Sequence, residues 1–342
     1  MTSPTNDTLP DAGASYVSTG HLPPANEVQA LVDEAHRRYR TNTDGQNSDV
    51  YPSLAEMPPD MFGVCLAKVN GAMHAAGDTD SPFTIMSVSK PLVFALICEA
   101  IGPAAAHAKI GANATGQAFN ALTAISLRPD GLTNPMVNPG AIATTSLAPG
   151  ATADEKWRFI HEGLSRFAGH TLTVDEYVYA CASESNHHNR DIARALQAVG
   201  ALYDEPAQTV DLYTRQCALQ VTARDLAVMA ATLANGGVNP VTGMRVVDAT
   251  VCEPALAVMT TAGMYETSGD WLYNIGLPGK SGIGGGILTV SPGKGGLGTF
   301  GPRLDAAGNS VKGQLAAKYL SRHLGMSLFA SACAVRAGIR PS

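Results

Sequence analysis

The stretch Phe83-Thr-Ile-Met-Ser87-Val-Ser89-Lys90-Pro91 sets a hydroxyl and an amine three residues apart, just before the apolar run Leu92-Val-Phe-Ala-Leu-Ile-Cys98. That run is apolar on every side for two turns, so it predicts a buried helix rather than an amphipathic surface one. Pro91 fits only in the first turn, which sets Ser87 at or just inside the helix N-terminus. On a helix Ser87 and Lys90 share a face. Burial disfavours the charged form of a lysine, and a neutral amine can take the proton of a neighbouring hydroxyl. The chemistry is that of an activated serine nucleophile. The plain reading is an ordinary serine N-cap. A second S-x-x-K, Ser291-Pro-Gly-Lys294, lies in a Pro/Gly run that cannot be helical, so its side chains need not meet.

Other residues are weighed against this pair. Gly279-Lys280-Ser281 suggests a phosphate-binding loop, but Asn274 stands where a glycine is required and a glycine-rich strand follows the lysine instead of a helix. A lysine–serine–glycine triplet on a strand is the kind of third element that accompanies S-x-x-K in penicillin-recognising enzymes, where K-T-G is usual. No S-D-N tripeptide is present. His187 and His188 are adjacent, would point about 100° apart on a helix and have no third ligand nearby, so they read as exposed loop histidines, not a metal site. Alone, Glu184 reads as a solvated helix end, Asn138 as turn chemistry, and Tyr213 and Tyr265 as packing.

These residues need elements to position them. Glu27 to Arg40 carries an apolar stripe and reads as an amphipathic helix. Met61 to Val69 reads as a strand, Asn70-Gly71 as a hairpin turn, and Ala72 to Ala76 as the antiparallel return. Thr173 with Glu176 forms a capping box opening a helix from Val174 to Ser185. Thr222 with Asp225 opens another that runs to Asn235 and stops at Gly236-Gly237. Ile192, Leu196 and Val199 mark a helix ending at Gly200. Lys280 to Val290 reads as one strand whose glycines permit close approach. Pro292 to Gly296 turns the chain, Leu297 to Phe300 pairs back, and a last helix spans about Ser310 to Leu324. Both ends therefore contribute sheet, with helices between, which is an α+β pattern. The expected division is a disordered lead-in at 1–24, a sheet subdomain from 25–85 and 245–330, a helical subdomain at 86–244, and a tail at 331–342.

A chain of 342 residues with 45% hydrophobic and 15% charged residues is an ordinary globular composition. A net charge of −6 and no basic block argue against nucleic acid or an anionic membrane as partner. No apolar run approaches the roughly 20 residues of a membrane span. Met1 to Gly20 has no charged region followed by an apolar one, so no secretion signal is expected. Six scattered cysteines without a C-x-x-C pair read as free thiols in a reducing cytoplasm.

From about Tyr51 to Gly313 the chain resembles the serine-dependent, β-lactamase-like glutaminase family. The resemblance rests on Phe83 to Lys90, Phe119-Asn120, Asn134 to Ile142, Ser183-Glu184, Ala234 to Gly237, Gly263-Met-Tyr265 with Ser268-Gly269, Gly276 to Ile287, Leu304-Asp305 and Gly308-Asn-Ser310. It implies a β-lactamase/penicillin-binding-protein-like fold, with an antiparallel sheet flanked by helices and a helical subdomain. It also implies a glutaminase that converts L-glutamine to L-glutamate and ammonia, without cofactor or metal, as a cytoplasmic homodimer or homotetramer. Carried over residue by residue, Ser87 is the nucleophile and Lys90 its base. Tyr51 and Tyr265 border the reacting centre, with Tyr265 as proton relay. Asn138, Glu184 and Tyr213 hold the amino-acid end of the substrate. The backbone N–H groups of Ser87 and Ile283 form the oxyanion hole, where one donor is typically worth about 10²–10³ in rate.

Two departures stand out. The family reads arginine–asparagine seven residues after the glutamate, and that asparagine contacts substrate; here the string is Asn189-Arg190-Asp191. Asp191 would repel a substrate carboxylate, unless it faces the ammonium or pairs with Arg190 or Arg194, or unless Asn189 takes the role. Pro139 replaces a usual alanine and stiffens its turn. The rival readings are another serine amidase or β-lactam-reactive enzyme, and a non-catalytic amino-acid-binding homologue.

Overall fold

The computed structural model describes residues 20–330. Most of the expected lead-in at 1–24, all of the tail at 331–342, and Cys333 lie outside the described residues. Among the described residues seven strands occur in chain order: β1 (Gly63–Lys68), β2 (Met73–Gly77), β3 (Phe83–Thr84), β4 (Gln220–Val221), β5 (Gly279–Ser281), β6 (Gly286–Ser291) and β7 (Gly295–Phe300). Five form one antiparallel sheet in the order β2-β1-β7-β6-β5, and β3 pairs with β4. Both ends of the chain thus build the sheet, and the fold is α+β.

The two faces of the sheet follow from side-chain alternation. Val64, Leu66, Ile287 and Leu297 face Val28 and Val32 of the Ala25–Tyr39 helix and Leu320 of the Val311–His323 helix. Cys65 and Ala67 face the Ala223–Ala234 helix. That helix lies very close to β7, because a Cβ on Gly296 would stand 2.3 Å from the Ala230 Cβ, and one on Gly298 2.1 Å from the Ala223 carbonyl oxygen. The helix begins with the capping box expected from Thr222 and Asp225. Gly236 and Gly237, both at positive φ, end it.

The Ser89–Ile101 helix runs through the core, and every residue from Ser89 to Cys98 is buried. Leu92, Leu96 and Ile97 are at most 1% exposed, each worth about 1.5–3 kcal/mol of burial. Phe83 stacks on Phe300 with ring centroids 4.2 Å apart, which ties the entry to this helix to the sheet.

Three expectations are corrected. Lys280 to Val290 is not one strand: Gly285 N–H donates to the Gly282 carbonyl and Gly285 takes φ 91°, so residues 282–285 turn the chain between β5 and β6. The Glu176–Ser185 helix is capped by Asp175, whose side chain accepts from Val178 N–H. Thr173 instead sends its hydroxyl to Gln220 Oε1, so the helix starts two residues later than its capping-box pattern suggests. His187 and His188 open the His187–Ala198 helix rather than lying in a loop. No helix among the described residues is long and apolar enough to cross a membrane.

Candidate active site

Ser87 sits in a 3-10 turn, Met86–Val88, that runs straight into the Ser89–Ile101 helix, with Pro91 in the first helical turn. Met86 adopts φ 46° and Tyr265 φ 53°; both are left-handed conformations that L-residues other than Asn and Asp rarely hold. Ser87 and Tyr265 are themselves neighbours, and the Ser87 side chain lies within interacting reach of the phenol. The turn between β5 and β6 rests on the backbone just before Ser87. A Cβ on Gly284 would meet the Thr84 carbonyl oxygen at 2.6 Å, and one on Gly282 would meet that of Ile85 at 3.0 Å. Glycine at these positions brings Ile283 to the cleft wall beside Ser87.

Two lysines are buried here without a carboxylate partner. Lys90 is 1% exposed; its Nζ donates to Asn138 Oδ1 at 2.7 Å and to the Met136 carbonyl at 3.3 Å. Burial pulls its pKa down to about 7, with the Cys217 thiol opposing slightly. Lys280 is wholly buried and donates to the Ser281 carbonyl at 2.6 Å. Burial first, then the nearby Lys90, holds its pKa well below the lysine range. The same Ser281 carbonyl accepts the Tyr265 phenol at 3.3 Å. Burial raises the Tyr265 pKa, so the phenol keeps its proton. The Phe119 ring lies 4.7 Å from that of Tyr265 and 5.9 Å from Lys90 Nζ.

The cleft, of ≈ 190 Å³, is lined by Ser87, Tyr51, Asn138, Tyr213 and Ile283 among the expected residues. Desolvation pushes the Tyr51 phenol up to about 12. Tyr213 is 4% exposed and donates to Asn138 Oδ1 at 3.2 Å.

Two expected substrate residues do not line this cleft. On the Glu176–Ser185 helix the cleft-facing residues are Val178, Ala182 and Ser185, which share one stripe, and Glu184 lies exposed beside it. Asp191 is a surface residue paired with Arg194 at 3.0 Å, with side chains 55% and 69% exposed. Asn189 lines the cleft instead and accepts from Asn138 Nδ2 at 3.0 Å. The reason is helical register: Asn189 and Asp191 are two apart, so they point to opposite sides of one helix.

Two lining residues, Asn186 and Thr214, were not singled out from the sequence; His188, read there as an exposed loop histidine, and Cys217, read as one of the free thiols, also line the cleft. His188 contacts the Asn120 carbonyl at 2.5 Å, and the Phe119 N–H donates to Glu266 Oε1 at 2.9 Å, so the Phe119-Asn120 strap is held from two sides. An asparagine between two helices was the one available signal for Asn186. Burial lifts the Cys217 thiol to about 11, so it stays protonated beside Lys90.

An antiparallel sheet flanked by helices, with S-x-x-K at the head of a buried helix facing a lysine-bearing strand, defines a protein of the β-lactamase-like class. The family profile described as glutaminase matches residues 45–329. The chain is 65% identical to Glutaminase 2 of Yersinia pestis over 316 residues, which are 92% of this chain and 93% of that one. It is 44% identical to a glutaminase of Colwellia psychrerythraea over 88% of this chain and 97% of that one. Among solved structures, one described as probable glutaminase ybaS superposes with a TM-score of 0.89 at 41% identity, covering 90% of this chain and 99% of that one. Mglu in a glutamate form superposes with 0.84 at 37% identity, covering 89% and 70%. The chain belongs to the glutaminase family.

Proposed function

We propose that this chain hydrolyses the side-chain amide of L-glutamine to give L-glutamate and ammonia through a covalent glutamyl-Ser87 intermediate. Lys90 carries the reading: a buried amine one helical turn from a serine, with a pKa of about 7, is available as a base at neutral pH. Neutral Lys90 keeps one N–H on Asn138 and turns its lone pair to the Ser87 hydroxyl. Ser87 Oγ then bonds to the amide carbon, and its proton moves to Lys90. Tyr265, protonated and beside Ser87, passes a proton to the departing nitrogen and is replenished from Lys90, so ammonia leaves neutral. Water then attacks the ester carbon, the glutamate carboxylate is released, and Ser87 regains its proton. The backbone of Ser87 and Ile283 supplies the oxyanion donors. Asn138, Asn189 and Tyr213 hold the amino-acid end of the substrate. Glutamate bound by the related Mglu supports the substrate class.

The test is Ser87→Ala. Ammonia release from L-glutamine should fall by on the order of 10⁶, the scale for loss of a catalytic serine. The thermal transition should stay in place. Release near the wild-type rate would refute the assignment.

A further inference from the structure

Hydrogen bonds run from Lys90 away from the reacting centre, each side chain donating to the next. Lys90 Nζ donates to Asn138 Oδ1 at 2.7 Å, and Asn138 Nδ2 to Asn189 Oδ1 at 3.0 Å. Asn189 Nδ2 donates to Asn186 Oδ1 at 2.5 Å, Asn186 Nδ2 to Thr214 Oγ1 at 2.7 Å, and the Thr214 hydroxyl to the Val210 carbonyl at 2.7 Å. A carboxamide accepts at one end and donates at the other, so three in series have only two consistent orientations. The two ends choose between them. Lys90 offers N–H to the first amide, and Thr214 commits its only proton to Val210 and offers an oxygen to the last.

Asn186 is used against its local habit. It occupies the N-cap of the His187–Ala198 helix, where an asparagine ordinarily accepts from a backbone N–H of the first turn, yet its side chain makes no such bond. It is 6% exposed and Thr214 4%, so a missing partner would leave a buried polar group unsatisfied.

We propose that Asn186 and Thr214 are positioning residues: they set which way the amides of Asn138 and Asn189 face, and thereby the donors and acceptors presented to the amino-acid end of the substrate. The inference rests on the glutaminase reading above. With Thr214 unable to accept, the series loses its fixed end, and a flipped Asn138 would aim Nδ2 at the Lys90 and Tyr213 donors.

The experiment compares steady-state ammonia release from L-glutamine by the full-length wild type and by Thr214→Val, Thr214→Ser and Thr209→Val. Thr209 is a matched control: it is fully buried on the same helix and its hydroxyl donates to the Glu205 carbonyl at 2.9 Å, but it lies outside the series. Thr214→Val should raise KM about tenfold while kcat changes less than about threefold, as expected for one lost buried hydrogen bond in substrate positioning. Thr214→Ser, which keeps the hydroxyl, should restore the wild-type KM, and Thr209→Val should leave it unchanged. Equal KM in Thr214→Val and Thr209→Val, or a KM raised equally in Thr214→Val and Thr214→Ser, would overturn the inference alone. A wild type that releases no ammonia would overturn it together with the glutaminase reading.

Discussion

Lys280 Nζ lies 4.4 Å from the centre of the Tyr265 ring, and both side chains donate to one carbonyl oxygen, that of Ser281. A wholly buried amine with no carboxylate beside it is a burden on the fold that the cleft requires. Lys280→Met should therefore raise the thermal midpoint at neutral pH by about one to two degrees, the scale of about 1 kcal/mol in a chain of this size. The sign follows from proton linkage. The folded-state pKa is depressed, so the unfolded chain binds the extra proton, and the deficit shrinks as pH rises toward the ordinary lysine value near ~10.4. The gain from Lys280→Met should shrink in step, while kcat falls because Tyr265 loses its neighbour. A lowered midpoint would show Lys280 to be chiefly structural.

The pH dependence of turnover should report Lys90. With a pKa of about 7, Lys90 is neutral above that value and protonated below it. kcat/KM for L-glutamine should rise about tenfold per pH unit on the acid side and level off above pH ~7. Lys90→Arg, whose guanidinium keeps its proton, should be inactive across the range. An acid limb centred near pH 5 would assign the base elsewhere.

Gly284 tests the contact between the two jaws. In Gly284→Ala the new Cβ would meet the Thr84 carbonyl at 2.6 Å, forcing the 282–285 turn away from Ser87. We expect a loss of about 1–3 kcal/mol in stability, as for other overpacked sites. kcat should drop with it as Ile283 shifts. Gly269→Ala, with no atom beyond its own helical turn within 4 Å of the new methyl, is the control and should leave kcat unchanged. Urea unfolding and initial rates together read both effects.

The two neighbouring helix positions should separate cleanly. Asn189→Ala removes an amide that lines the cleft, and KM for glutamine should rise by about tenfold. Asp191→Ala removes a surface partner of Arg194 and should leave KM and stability nearly untouched, since exposed pairs contribute about 0–1 kcal/mol. The reverse ranking would restore Asp191 as the substrate contact.

The parts of this molecule legible in the sequence are those governed by strong local signals. The buried Ser89–Ile101 helix, the Thr222–Asp225 box and the hairpin at Asn70-Gly71 each follow from a period or a turn residue. The break between β5 and β6 was hidden because glycines carry no alternation to reveal a change of direction. Asp175 displaced Thr173 as cap because Thr173 and Val174 are drawn to Gln220 and Leu219 on a distant segment, a tertiary preference invisible locally. Asn189 stood only as an alternative because counting along the family pattern leads to Asp191, whereas the helix face, set by where the helix starts, decides which residue enters the cleft. The strap at Phe119-Asn120 is held by Glu266 and His188, far away in sequence, so no local pattern announces it.

Met86, next to Ser87 in the chain, and Tyr265, whose phenol the Ser87 side chain reaches, both hold left-handed backbones, at about 1–3 kcal/mol each. The proposed chemistry thus borrows against the durability of the fold at two points close to Ser87. Any change that let either backbone relax would yield a tougher protein and a blunter catalyst, which makes these the positions where hardening the molecule against heat and keeping it active pull in opposite directions.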